Sequence, residues 1–391
     1  MAVTTIGQNP FTPRSGQEPK VFLGRRKELE DFQKNLDKAK KKQYDHFVVV
    51  GGWGTGKTTL LKEFRKIAHA QKVLSSYVAV HEFPSNELLP PVIQLLTNIP
   101  RNLPIKFDRL KKVSKYLQGV GITLPVIGGG FEINEKKRFD GDPQVLLLDG
   151  LLQLWQELKE ETDALVVLLD DVQNYESVKQ VLGILKNVLS DDDIIKKTGY
   201  LFALAATDEG WSGFLRKNDP IGRYFIPIVR VQNFSEENTR RIVDATLKNT
   251  GVTFTSDAKE SVYEYTEEHP FQMQVFCMYL YENQIKGRVS GEQVDAALTQ
   301  TLDELGPIIL DPLYSSASEQ ERSVLRAMSS DYRVYAFDDI LKQAAKLNVK
   351  VTQNTFGAII TRLHEKRLLV KLDRGKYKLA SRLFHEFVSR E

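Results

Sequence analysis

The 391-residue chain is long enough for two or three domains at roughly 150 residues each, and its 41% hydrophobic and 27% charged residues are ordinary globular usage, which excludes bulk disorder. Lys and Arg (54) nearly balance Asp and Glu (51), and a net charge of +3 excludes a nucleic-acid coat or a polybasic membrane protein. The single cysteine, Cys277, excludes an intrachain disulfide framework and any multi-cysteine zinc or iron–sulfur site. Its apolar helical neighbours Met273, Val275, Phe276 and Leu280 make it a small buried hydrophobe.

Residues 1–20 are rich in Thr, Pro, Gly and Gln and read as an extended arm without the apolar segment of a signal peptide. Apolar runs such as Ala164–Leu169 are far shorter than the roughly 18 residues a bilayer span needs, so no membrane partner and a cytoplasmic location are expected. An amphipathic helix is predicted over Arg25–Lys42, with Leu29, Phe32 and Leu36 on one face. Predicted strands over His46–Val50, Ser75–Phe83, Ala164–Leu169, Tyr200–Ala206 and Phe225–Val231 alternate with helices over Leu60–Ala70, Gln144–Leu158 and Val178–Leu189. That alternation, with strands that are continuous apolar runs, predicts an α/β fold whose parallel sheet is covered on both faces.

Residues 98–142 interrupt the rhythm. Pro100, Pro104, Pro125, the run Gly128–Gly130 and many lysines mark an insertion, expected to carry a helix over Asp108–Leu117 and a hairpin from Gly121 to Ile133. Beyond Val231 the pattern becomes helical, with helices predicted over Ser235–Asn249, Ser256–Thr266, Pro270–Gln284 and Gly291–Leu305. The expected domains are therefore residues 1–232, a helical lid over 233–309 and a third unit over 310–391.

Gly51-Gly52-Trp53-Gly54-Thr55-Gly56-Lys57-Thr58 fits G-x-x-x-x-G-K-[ST] at every fixed position, between a predicted strand and a predicted helix. Glycines let backbone N–H groups curl around an anion with no Cβ in the way. Lys57 can reach β- and γ-phosphates, Thr58 can ligate Mg²⁺, and the helix from Thr59 onward aims its positive end at the same phosphates. Gly52, Trp53, Gly54, Thr55, Gly56, Lys57, Thr58 and Thr59 are thus the candidate phosphate-binding residues. Trp53 is unusual in such a loop and is read as a packing anchor on its back, with nucleotide contact as the alternative.

Leu165–Leu169 ends in Asp170-Asp171, and buried acids at the carboxyl end of a strand are costly unless they act there. Asp170 is the candidate to hold Mg²⁺ through water. Asp171 is the candidate to orient or deprotonate the attacking water, a helix N-cap being its alternative role. Thr207, leaving the fourth predicted strand, is a candidate γ-phosphate sensor, or an ordinary strand-terminal hydroxyl.

In this order the residues resemble a P-loop ATPase of the additional-strand class, nearest the AAA+ and signal-transduction ATPases that include archaeal-type ATPases and origin-recognition initiators. Asn9-Pro10-Phe11 with Phe22-Leu23-Gly24-Arg25-Arg26-Lys27-Glu28-Leu29 looks like the family's F-x-G-R-x-x-E-L box, which implies that Phe22 and Arg25 help enclose adenine. Glu268-His269-Pro270-Phe271-Gln272-Met273-Gln274 is similar to the lid motif G-H-P-Y-x-x-Q, whose proline, here Pro270, lies near the base. The resemblance implies ATP or ADP with Mg²⁺ as cofactors, and an ATP-dependent homo-oligomer in which Arg223 senses phosphate in cis or across a subunit interface. A surface ion pair is the alternative for Arg223. Asp171 stands where AAA+ members usually carry Glu, which implies slow hydrolysis; Glu268 replaces the lid glycine, and no lid arginine follows Pro270.

Ser318-Glu319-Gln320-Glu321 is a capping box opening a helix with Val324, Leu325 and Met328 inward. Helices are predicted over Phe337–Leu347 and Thr352–Arg367, then strands over Leu368–Leu372 and Tyr377–Ala380 around a tight turn at Asp373–Lys376, the order of a winged helix-turn-helix. Residues 346–382 carry ten Lys/Arg against two Asp/Glu, a surplus of eight that exceeds the net charge of the whole chain. Double-stranded DNA is therefore an expected partner, through Asn354, Thr361, Arg362, Lys371, Arg374, Lys376 and Lys378. The alternative is a scaffold or signalling ATPase whose winged helix docks protein.

Overall fold

The structure, a computed structural model, describes residues 7–14, 17–83, 86–105, 111–119, 121–123, 132–133, 141–178, 180–216, 221–347 and 353–391. The chain forms two compact units, Arg25–Gln232 and a second made of Met1–Gly24 with Asn233–Glu391. Among the described residues no helix is long and apolar enough to cross a membrane.

The first unit is built on five strands, β1 (Phe47–Val50), β2 (Leu74–Ala79), β3 (Leu165–Asp170), β4 (Tyr200–Ala206) and β5 (Ile228–Arg230). All pair parallel, in the order β2-β3-β4-β1-β5. Strand β4 thus separates β1 from β3. Every residue of β1, β3 and β4 is buried, which is why these segments read as unbroken apolar runs and not as alternation. Helices α1 (Arg26–Ala39) and α2 (Lys57–Ala70) belong to this unit, and Phe32 and Phe64 stack at 4.2 Å between them.

Several elements escaped the sequence pattern, the longest of them in this unit a helix. Helix α3 (Leu89–Arg101) runs across the boundary placed at residue 98. Its Pro90 and Pro91 occupy the first turn, where a missing N–H removes nothing from the helix. Pro100 falls in its last turn. Of the insertion, the predicted helix exists as Lys111–Gly119, and the predicted hairpin as antiparallel pairing of Ile122–Thr123 with Glu132–Ile133; residues 106–110, 120, 124–131 and 134–140 lie outside those described.

In the second unit the helices expected as a lid are Glu236–Leu247, Ser256–Thr266, Pro270–Glu282 and Val294–Leu305, accompanied by a two-strand parallel pair, Thr253–Phe254 with Arg288–Val289, that the sequence reading lacked. The arm expected to accompany the nucleotide core belongs here. Phe11 is buried beside Phe254 and Tyr281, and Asn9 Nδ2 donates to the Met278 carbonyl at 3.0 Å. Cys277 is fully buried and burial raises its pKa, as expected of a core thiol.

The C-terminal part holds helices Glu319–Ala327, Phe337–Lys346, Gln353–Glu365 and Arg382–Val388 with an antiparallel sheet of β6 (Tyr335–Ala336), β7 (Leu369–Asp373) and β8 (Lys376–Leu379), ordered β6-β8-β7. Gly375, at φ +72°, makes the predicted turn between β7 and β8. Strand β6 and the last helix were not predicted. Leu302, Leu310 and Tyr314 share one apolar core with Leu383 and Phe387, so the boundary expected near residue 310 crosses continuous packing.

The capping box is present, and its glutamate does more than cap. Glu321 is 1% exposed and accepts from the Ser318 N–H, from Arg362 Nε at 2.7 Å and from Lys366 Nζ at 2.6 Å. Burial pushes its carboxyl pKa up, but the donors from Lys366, Arg362 and Ser318 outweigh it and hold the group at about 2, against 4.5 ordinarily. A depressed folded-state pKa adds stability that is complete above about pH 5 and is lost as pH falls toward 2. Glu321→Gln keeps the cap and removes the charge. Urea denaturation is expected to show a deficit of about 2 kcal/mol at pH 7, allowing for the half-exposed Arg362, that shrinks by more than half at pH 3.

Candidate active site

The loop between β1 and α2 begins where the Gly51 N–H donates to the Ala206 carbonyl, and a Cβ on Gly51 would stand 2.4 Å from the Val231 carbonyl oxygen. Only glycine passes so close. Gly54 and Gly56 turn the loop at φ +72° and +93°, and a Cβ on Gly56 would meet nothing within 4 Å, so the space beside Gly56 at the N-terminus of α2 is open. Lys57, the first residue of α2, is 8% exposed; its Nζ donates to the carbonyls of Gly51 at 3.0 Å and Gly52 at 2.8 Å. Burial lowers its pKa against the pull of the Asp171, Asp170 and Asp208 carboxylates. Thr55 Oγ1 donates to the Gly52 carbonyl at 2.9 Å, tightening the loop.

Trp53, read as a packing anchor on the back of the loop, stands largely in the open. Its side chain is 53% exposed. The loop is fastened by Arg25, a buried guanidinium that donates to the Thr55 carbonyl at 3.1 Å and the Gln232 carbonyl at 2.5 Å, with Glu28 at 3.8 Å. Burial lowers the Arg25 pKa, and Glu28 opposes that.

At the end of β3 the Asp170 carboxylate is 1% exposed. Its Oδ2 accepts from Thr58 Oγ1 at 2.6 Å and from the Tyr77 hydroxyl at 2.7 Å, and its Oδ1 from the Asp171 N–H at 3.1 Å. Burial raises the Asp170 pKa more than these donors lower it. A desolvated carboxylate beside a threonine hydroxyl is a pair of hard oxygen donors that suits Mg²⁺. Asp171 is left-handed, at φ +57°, and turns the chain out of the strand; a 3₁₀ helix, Val172–Val178, follows.

A residue with no assigned role in the sequence reading ties the predicted ones together. Gln173 Nε2 donates to Asp171 Oδ1 at 2.9 Å, and its Oε1 accepts from the Thr207 N–H at 3.1 Å. Gly210 leaves it room, since a Cβ there would stand 2.3 Å from Gln173 Cβ. Thr207 Oγ1 accepts from the Gly210 N–H at 3.1 Å and caps helix Asp208–Leu215. Arg223 is exposed in the turn Ile221–Tyr224, with no ion pair among the described residues, so the surface ion pair offered as its alternative is not formed there.

Two predicted residues lie in the second unit. Phe22 is half-buried, and Pro270 is buried at the first position of its helix, which His269 caps. The motif glycine replaced by Glu268 corresponds to a left-handed residue, at φ +66°.

Of the candidate DNA residues, Lys371, Arg374 and Lys376 are exposed on β7, β8 and their turn. Thr361 is exposed and bonds back to the Gly357 carbonyl at 3.0 Å, while Arg362 is held by Glu321. Lys378 donates to Glu267 at 2.7 Å; the same carboxylate accepts from the Tyr332 hydroxyl at 2.6 Å and the Arg382 N–H at 3.0 Å. Asn354 lies in helix Gln353–Glu365, its side chain outside those described.

Residues 21–190 match the AAA ATPase domain family. No curated protein sequence matches the chain. Among solved structures, the chain is similar to the ORC2 protein of Aeropyrum pernix in ADPNP-ADP complexes, with TM-score 0.65, 17% identity, and 99% of this chain and 98% of that one covered. It is also similar to the Walker-type ATPase PABY2304 of Pyrococcus abyssi, with TM-score 0.61, 15% identity, and 97% and 99% covered. At these identities the likeness is one of fold.

Proposed function

We propose that the chain is an ATP-binding, slowly hydrolysing switch whose nucleotide state governs DNA binding by a C-terminal winged helix. The observation that carries the nucleotide reading is the buried Lys57 ammonium, which among the described residues has only loop carbonyls as hydrogen-bond partners, in a cradle of left-handed glycines, with Asp170 and Asp171 at the end of β3. Lys57 would turn from its carbonyls to the β- and γ-phosphates, and the loop N–H groups would bind the rest. Thr58 and Asp170 would hold Mg²⁺, which when bound neutralises phosphate charge. Asp171 would align the attacking water or take its proton, with Gln173 keeping it in register with Thr207. Arg223, exposed, is proposed to act toward the nucleotide of a second copy, an assembly that light scattering with and without ATP would reveal. Calorimetric titration with ATP, with and without Mg²⁺, and phosphate release in the same samples test the reading; the absence of saturable binding would remove it.

The DNA reading is supported by the order of helices and hairpin, that of a winged helix, and by three exposed cations on and beside its turn. Arg374→Ala/Lys376→Ala is expected to flatten the slope of log K against log salt by about two units for all duplex sequences alike. Fluorescence anisotropy of labelled duplex at several salt concentrations measures it. A second reading, docking of protein, is favoured by the ion pairs of Arg362 and Lys378 and by Leu372, 51% exposed on β7. Equal slopes in wild type and variant would select it.

A further inference from the structure

A cleft of about 370 Å³ opens along the edge strand β2, between α2 and the end of α3. It is lined by Arg65 from α2, by Tyr77, Ala79 and His81, and by Asn98, Arg101 and Asn102. Tyr77 and Ala79 share one face of the strand by its period of two, and Asn98, Arg101 and Asn102 share one side of the helix end by spacings of three and four. Among the described residues no carboxylate lines the cleft. Arg65 and Arg101 are both exposed, and neither makes an ion pair among the described residues. The two guanidiniums give this concavity a positive lining, and the planar fork of arginine matches phosphate oxygens. The amides of Asn98 and Asn102 and the ring of Tyr77 add polar and flat surface beyond what a bare phosphate would use. Asn102 is held in place by its Nδ2 donating to the Tyr77 carbonyl at 2.7 Å. Tyr77 also donates to Asp170, so the cleft and the nucleotide site share one side chain.

We propose that this cleft is a second phosphate-recognition site, distinct from the loop at Lys57, and that it takes a small phosphomonoester, with Arg65 and Arg101 on the phosphate and the asparagines on the alcohol portion. The volume lies at the lower end of the range for small-ligand pockets. The experiment is calorimetric titration of the full chain with ribose 5-phosphate, and separately with inorganic phosphate. Wild type, Lys57→Ala and Arg65→Ala/Arg101→Ala are compared. Saturable binding of ribose 5-phosphate is expected in wild type and in Lys57→Ala, at least tenfold weaker in the double variant, and tighter than binding of inorganic phosphate. Both arginines are exposed, so the melting temperature of the double variant is expected to match wild type, which separates lost binding from lost fold. Binding lost in Lys57→Ala and kept in the double variant would place the phosphate in the loop and overturn the proposal. Equal affinity for inorganic phosphate would overturn the ligand class.

Discussion

Lys57→Ala is expected to weaken ATP binding at least tenfold, about 1.4 kcal/mol or more. Two features make the effect large. The ammonium is buried, so its attraction for phosphate is screened far less than at the surface. Its hydrogen bonds run to the carbonyls of Gly51 and Gly52, neutral partners that a phosphate outcompetes. The same burial predicts that the variant folds: removing a desolvated cation relieves a cost, so the melting temperature should not fall. Calorimetry and thermal melting on one preparation check both halves. Unchanged affinity with unchanged melting would end the phosphate-loop reading.

Asp171→Asn is expected to leave ATP affinity within about twofold and lower turnover by about 100-fold or more, the range for losing a positioned base. The substitution is clean for a backbone reason. Position 171 is left-handed, a conformation asparagine tolerates as well as aspartate, so charge changes without added strain. Asp171→Glu, one methylene longer, has no such tolerance, and a gain in kcat is not expected. Gln173→Ala separates alignment from chemistry, because Gln173 touches both Asp171 and the Thr207 backbone. About tenfold slower turnover with unchanged ATP affinity is its expected signature. Single-turnover phosphate release by the three variants is the measurement, and wild-type turnover in Asp171→Asn would place the base elsewhere.

The parts that the sequence by itself determined are those whose cause is local. Strands β3 and β4 are unbroken apolar runs because both faces are buried, and that demand is written in consecutive residues. The loop at Lys57 is legible because its geometry needs glycine at particular steps, and the turn at Gly375 and the cap at Ser318 are legible for the same kind of reason. Where the cause is a distant partner, the tertiary structure alone decided. Glu321 reads as a cap; the fold brings Arg362 and Lys366, about 40 residues on, to its carboxylate and so occupies a cation expected to meet DNA. Lys378 reads as a free wing charge until Glu267, more than 100 residues earlier, meets it. Arg25 fastens the loop only because Gln232 and Thr55 bring their carbonyls to it. Helix α3 was not predicted: prolines break a helix interior but fit a first turn, and the phase of that turn is set by packing of its apolar face. Composition and spacing carry the backbone's own preferences; pairings across long stretches of chain depend on which faces the core brings together, and no window of the sequence contains them.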